Sequence, residues 1–167
     1  HSCLVGSEMC IRDSGNADLM VVSNAGKAVF FNEVDARSMG RDTRGVKGIT
    51  LDGDQKVISL LKPSEESEIL TVSENGYGKR SKVNDFRKTK RGAKGVIAMQ
   101  TSERNGGLIS AKEVSEMDEV ILITNKGMLV RTKVSEISLI GRNTQGVRVI
   151  KLKEDEALNG LALAIDS

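Results

Sequence analysis

The sequence predicts an all-β protein: an array of about three blade-like repeats, each a four-stranded antiparallel sheet. Two spacings and one compositional fact carry that expectation. Turn glycines Gly26, Gly76 and Gly127 lie 50 and 51 residues apart, and the steps Gly45-Val46, Gly95-Val96 and Gly146-Val147 keep the same intervals. Two independent landmarks with one period mark an internal repeat of the size found in propellers and solenoids. The chain has 17 Gly, one Pro, three Phe, one Tyr and no Trp in 167 residues. Its core must therefore be built from Val, Ile and Leu, which favour strands.

The elements follow one plan in each repeat. The first repeat runs LMVVS (19–23), a turn NAG, KAVFF (27–31), a polar link, GRDTRGVKGITL (40–51) and KVISLL (56–61). The second runs ILTVS (69–73), the turn ENGYG, KRSKV (79–83), a basic link, KRGAKGVIAM (90–99) and GLISA (107–111). The third runs VILIT (120–124), NKG, MLVRTKV (128–134), GRNTQGVRVIKL (141–152) and ALNGLALA (157–164). These runs are short, β-branched and bounded by Gly, Asn or Asp, which is strand spacing rather than helix spacing. The turns need a positive φ that Gly and Asn tolerate. Four runs per repeat predict one sheet per repeat, and such sheets must stack to bury both faces. The links Lys62–Glu68 and Lys112–Glu119 read as loops between sheets. Helix is expected at most as a single turn within Val134–Ile140.

The boundaries that follow are 15–66, 67–116 and 117–167. Residues 1–14 match no repeat and read as a non-native segment. They hold both cysteines, Cys3 and Cys10, and the only histidine, His1. They show no signal-peptide layout. Without them the chain offers no disulfide framework, Cys/His zinc site or His-based triad. No apolar run approaches the length of a membrane-spanning helix.

Several local patterns have ordinary readings. Gly40 to Gly45 imitates the start of a phosphate-binding loop, but Val46 and Lys47 replace the required Lys and Ser/Thr. The pattern also returns at Gly141–Gly146, which a unique nucleotide site would not do. Gly76-Tyr77-Gly78 reads as a turn. Asp52, Asp54 and Glu154–Glu156 lack calcium-loop spacing and read as hairpin-end polar residues.

The distinctive stretch is Tyr77–Gly95, YGKRSKVNDFRKTKRGAKG. It holds eight basic residues against one acid, a local balance of +7 in a chain whose total is +2. Lys79, Arg80, Lys82, Arg87, Lys88, Lys90, Arg91 and Lys94 are its cations. Repeats one and three add Arg41, Arg44, Lys47, Arg142 and Arg148 beside their own Gly-Val steps. Stacked repeats would align these loops on one rim as a cationic stripe. Without interleaved aromatics, such a stripe suits the phosphate backbone of duplex DNA better than single strands. Glycines beside it let the backbone approach a phosphate. Arg131 and Lys133 join the set as strand residues that face either DNA or a neighbouring sheet. The plain alternative is a charged, solvated surface.

The chain from Ala17 to Ala164 also resembles the C-terminal β-pinwheel domain of bacterial DNA gyrase A. The motifs are ENGYGKR (Glu74–Arg80), KGV (Lys94–Val96), ERNG (Glu103–Gly106) and LVRTKVSEISLIGRNTQGV (Leu129–Val147). The resemblance implies a propeller-like disc of six four-stranded blades, of which this chain would hold the last three. It implies sequence-independent binding and wrapping of duplex DNA on the rim, in support of ATP-dependent negative supercoiling by the whole enzyme. That parent is a type II DNA topoisomerase, an isomerase. Its chemistry would lie elsewhere, so this chain is expected to be non-catalytic and to hold no cofactor or metal, ATP and Mg belonging to the parent complex. The implied partners are the rest of the gyrase A protein and the gyrase B protein in an A2B2 complex, with no membrane. The implied location is the bacterial cytoplasm, at the nucleoid. The family's box QRRGGKG belongs to an absent first blade. TKRGAKG at Thr89–Gly95 looks like a degenerate copy, with Thr for Gln and Ala for one Gly. Two other readings remain open: the corresponding domain of topoisomerase IV, and a propeller-like protein-interaction module.

Overall fold

The computed structural model describes residues 16–164, so the segment 1–14, with Cys3, Cys10 and His1, lies outside the described residues. Eleven strands lie among the described residues. They are β1 (Asp18–Ser23), β2 (Lys27–Asn32), β3 (Val57–Leu61), β4 (Glu68–Ser73), β5 (Tyr77–Lys82) and β6 (Val96–Ile97), then β7 (Leu108–Val114), β8 (Glu119–Thr124), β9 (Leu129–Lys133), β10 (Val147–Arg148) and β11 (Leu158–Ala164). The only helical elements among the described residues are three 3-10 turns at Glu33–Asp35, Val83–Asp85 and Val134–Glu136. The last of these falls inside the segment where the sequence allowed one. Gly26, Gly76 and Gly127 have φ of 78°, 85° and 81°, the left-handed conformation the hairpin turns require.

The strands form three antiparallel sheets in the orders β3-β1-β2-β6, β10-β5-β4-β7 and β11-β8-β9. The membership corrects one expectation, since a sheet is not made from one repeat. Strand β6 comes from the second repeat and pairs with β2 of the first, Lys27 opposite Ile97 and Ala28 opposite Val96. Strand β10 comes from the third repeat and pairs with β5 of the second, Val147 opposite Gly78. The second and third Gly-Val steps thus reach back to complete the preceding sheet. The third sheet has three strands among the described residues. The inter-sheet loops are also shorter than expected, because β7 continues through Val114 while β4 and β8 begin at Glu68 and Glu119. Pairing of Lys112 with Leu70 and Glu113 with Ile69 keeps those polar residues in the ladder.

Alternation within the strands decides how the sheets stack. In the first sheet Met20, Val22, Ala28 and Phe30 face the second sheet and meet Ile69, Tyr77, Phe86 and Met99 in one apolar cluster. Leu70 and Val72 on the far side of the second sheet meet Val120, Leu122, Val134 and Leu158. Leu19, Val21, Val29 and Phe31 point the other way and pack under Ile49, Leu51 and Ala93. Each fully buried aliphatic side chain in these layers contributes about 1.5–3 kcal/mol relative to exposure.

Candidate nucleic-acid interface

Lys79, Arg80, Lys82, Arg131, Lys133 and Arg148 lie on strands, and the other candidate cations ride on the links that follow each 3-10 turn. The second link lies along the β2 edge: the Thr89 N–H donates to the Phe30 carbonyl at 2.7 Å and Gly92 N–H to the Gly48 carbonyl at 2.6 Å. The third link does the same at the β5 edge, where Arg80 N–H donates to Ser138 O and Ile140 N–H to Arg80 O, both at 2.9 Å. Isolated parallel bridges, Phe30 with Lys88 and Arg80 with Leu139, mark the two crossings as equivalent. Both links therefore run over the same edge of successive sheets, which lines them up on one rim.

The predicted cations fall into three groups. Arg41, Arg44, Lys47, Lys82, Arg87, Lys88, Lys90, Lys94, Arg131, Lys133 and Arg148 are exposed. Some of these are engaged: Lys88 pairs with Asp18 at 2.7 Å and lies over the Phe30 ring. The hydrogen bond from Lys88 to Asp18 raises the Lys88 pKa. Lys94 lies 3.7 Å from Asp52, and both side chains are largely exposed, so that pair contributes little. Arg131 pairs with Glu119.

Arg91 and Arg142 form the second group, half-buried and used as stitches. The Arg91 guanidinium donates to the carbonyls of Asp35 (2.6 Å) and Lys47 (3.1 Å). Arg142 donates to the carbonyls of Asp85 and Ile97, both at 3.0 Å. These are corresponding positions one repeat apart. Each arginine ties its link to the 3-10 turn of the preceding repeat and to the residues around that repeat's Gly-Val step.

Lys79 and Arg80 form the third group, and here the expectation of a surface role is corrected. Lys79 is fully buried. Its Nζ donates to the carbonyls of Gly141 (2.8 Å) and Arg142 and to Thr144 Oγ1 (3.0 Å). Burial, with Arg142 nearby, lowers its pKa to about 8. Arg80 is 6% exposed and is held by Glu68 at 2.6 Å and the Ile137 carbonyl at 2.7 Å. The third link, from Ile137 to Thr144, takes up both side chains, with Glu68 beside Arg80, which a count of charges cannot reveal.

Two exposed arginines escaped the sequence reading. Arg37 sits in the first link, fifty residues before Arg87, and its phase in the repeat was the available signal. Arg104 lies over the Tyr77 ring with its guanidinium carbon 5.0 Å from the centroid, and Arg148 lies at 5.6 Å. Both guanidinium groups donate to the Tyr77 hydroxyl, at 3.2 and 3.1 Å. Those bonds hold the phenol pKa below its ordinary value, Arg104 contributing most. No sequence signal pairs Arg104 with Tyr77, because the contact is made only in the folded chain.

Comparison with known proteins adds a family to this geometry. The model of the DNA gyrase C-terminal domain, a β-propeller, matches three successive segments, 17–64, 67–115 and 118–164. DNA gyrase A of Pseudomonas aeruginosa is 52% identical over 147 residues, and that of Escherichia coli K12 is 47% identical over 148. The matches cover 88–89% of this chain, and the chain spans 16–17% of the length of those relatives. A solved DNA gyrase A C-terminal domain superposes with a TM-score of 0.83 at 31% identity, covering 90% of this chain and 51% of the other. The C-terminal domain of DNA topoisomerase IV superposes at 0.82 with 24% identity, over 89% of this chain and 47% of the other, and shares the fold.

Proposed function

Because the chain belongs to the DNA gyrase C-terminal domain family, we propose that it binds duplex DNA through the phosphate backbone, without sequence preference. One observation carries this reading: successive links cross the same edge of successive sheets, and Lys82 at the end of β5 and Arg87 and Lys90 on the second link are exposed, with no ion pair of theirs among the described residues. The first link adds exposed Arg41, Arg44 and Lys47 beside its own Gly-Val step, and Arg37 at the phase of Arg87. Phosphate contacts of this kind position a duplex and carry no base code. Lys79 and Arg80 leave the proposed contact set, since both are buried.

In the wider reading the bent duplex serves negative supercoiling by a parent enzyme of gyrase A and gyrase B proteins in the bacterial cytoplasm, at the nucleoid. This chain would supply DNA contacts and no catalytic group, cofactor or metal ligand. No helix among the described residues is long and apolar enough to cross a membrane. The higher identity to DNA gyrase A favours that parent over topoisomerase IV.

The test is duplex affinity measured across a salt series with the full chain. The expected result is a steep fall of affinity with salt, alike for unrelated sequences, as counterion release requires. A folded sample that binds no duplex at low salt, or binds with little salt dependence, would sink the proposal and favour a protein partner for the rim.

A further inference from the structure

Tyr77, Arg104 and Arg148 form a cluster that the repeat does not reproduce. Arg104 stands on the loop between β6 and β7, and Arg148 stands on β10 directly opposite Tyr77 of β5. One repeat earlier the corresponding residues are Lys27, Asp54 and Ile97, with Lys27 opposite Ile97. One repeat later the counterparts of Tyr77 and Arg104 are Met128 and Asp155. The loops themselves are equivalent, because the side chains of Gln55, Asn105 and Glu156 each accept from the N–H three residues before them. A phase that holds an acid in two repeats thus holds an arginine in the second. Tyr77 packs with Met20, Ile69 and Met99 between the first and second sheets, so the cluster lies inside the array and away from its ends.

The cluster is rich in donors and short of acceptors. Arg104 Nε and Arg148 Nη2 both donate to the Tyr77 hydroxyl oxygen, which takes up its lone pairs. The phenol O–H itself has no acceptor among the described residues, and neither do the remaining N–H groups of the two guanidiniums. Both arginines are exposed, and neither has a carboxylate partner among the described residues. Glu154 and Glu156 share a cavity with Arg148, Lys151 and Lys153, but Glu156 is held by the Thr124 hydroxyl and the Lys153 N–H. Two cations are therefore gathered on one ring without a counter-charge. They already favour an anion at that point, since they hold the phenol pKa below its ordinary value.

We propose that Arg104, Arg148 and the Tyr77 hydroxyl together clamp one phosphate of the bound duplex. The oxyanion accepts from both guanidinium forks and from the phenol O–H, the groups that otherwise lack partners. Strand β10 is the edge strand next to β5, on the side that the third link crosses, so the clamp lies on the rim. This inference rests on the duplex reading above and adds a fixed point to it. The cations of the links recur with the repeat, whereas this clamp occurs once among the described residues and joins the second repeat to the third.

The experiment uses the full chain with its tyrosine isotope-labelled at Cζ. Tyr77 is the only tyrosine, so a single magnetic-resonance signal reports the clamp. The phenol pKa is followed in the free chain, with a short duplex, and with inorganic phosphate at the same phosphate concentration. Duplex should raise the pKa, because its phosphate offsets the two guanidinium charges and accepts from the neutral phenol. Inorganic phosphate should leave it where it is. An equal rise with inorganic phosphate would make this a free-anion site and overturn the duplex as its source. A duplex that binds with steep salt dependence but leaves Tyr77 unmoved would overturn the clamp while the wider reading stands. A folded chain that binds no duplex would remove both. The double variant Arg104→Gln, Arg148→Gln should flatten the log–log salt slope by about one, since both arginines share one phosphate. A slope flattened by about two would assign them separate phosphates, and that result or an unchanged slope would overturn the clamp.

Discussion

Lys79 shows what a buried cation does in a basic protein. Its ammonium is enclosed by two carbonyls and Thr144, and burial lowers its pKa from 10.5 to about 8. The unfolded chain keeps that proton to higher pH, so between about pH 8 and the ordinary lysine value it binds more protons than the folded chain. Stability therefore rises with pH across that window. The Tyr77 phenol, held below its usual value by Arg104 and Arg148, acts with the same sign just below pH 10. We expect the urea midpoint to climb from pH 8 towards 10, Lys79→Met to remove the lysine part of the climb, and Tyr77→Phe to remove the tyrosine part. Asn105 makes a second test at this scale. It is fully buried, accepts from the Ser102 N–H at 2.7 Å, and donates to the carbonyls of Gln100 and Gln145 at 2.6 and 3.1 Å. Asn105→Ala leaves these groups unpaired and should cost about 1–3 kcal/mol in denaturant unfolding.

The links are the elements that join one sheet to the next. The second and third each leave a 3-10 turn, cross the edge of the preceding sheet and end in a two-residue strand that completes it. Arg91 fastens the second link by holding the Asp35 and Lys47 carbonyls. Arg91→Ala should lower stability by about 1.5–3 kcal/mol, the range for hydrogen bonds given by a charged group. The same variant should leave the salt slope of DNA binding nearly unchanged, because the guanidinium is already engaged with the backbone. A large loss of slope with unaltered stability would return Arg91 to the DNA surface. The sequence reading counted Arg91, Arg142, Lys79 and Arg80 with the exposed cations because charge and phase look alike for all of them. What separates them is the carbonyls of adjoining links and turns that each of these side chains reaches in the folded chain.

At the scale of the molecule, stacked sheets turn a local run of charge into a rim. Replacing Lys82, Arg87 and Lys90 with Ala removes three exposed cations that have no ion-pair partner among the described residues. The log–log salt slope for duplex binding should flatten by up to about three, with an equal loss for all sequences and little change in folding. Lys79→Met, measured beside it, should leave the slope alone. A triple variant with the wild-type slope would move the interface away from the second link.

The repeat, the strand runs, the turn glycines and the family were all readable in the sequence. They depend on local chemistry: residues that branch at Cβ, glycines that accept positive φ, and motifs that keep their spacing. The exchange of the fourth strand between neighbouring sheets was not readable, because the Gly-Val step has the same local character whichever sheet it joins. Nor were the cage around Lys79, the grip of Arg142 or the pairing of Arg104 with Tyr77, which join residues 27 to 65 positions apart. Tertiary structure decided which cations face water and which hold the sheets together, because only packing determines whether a charge is solvated or must find a partner inside.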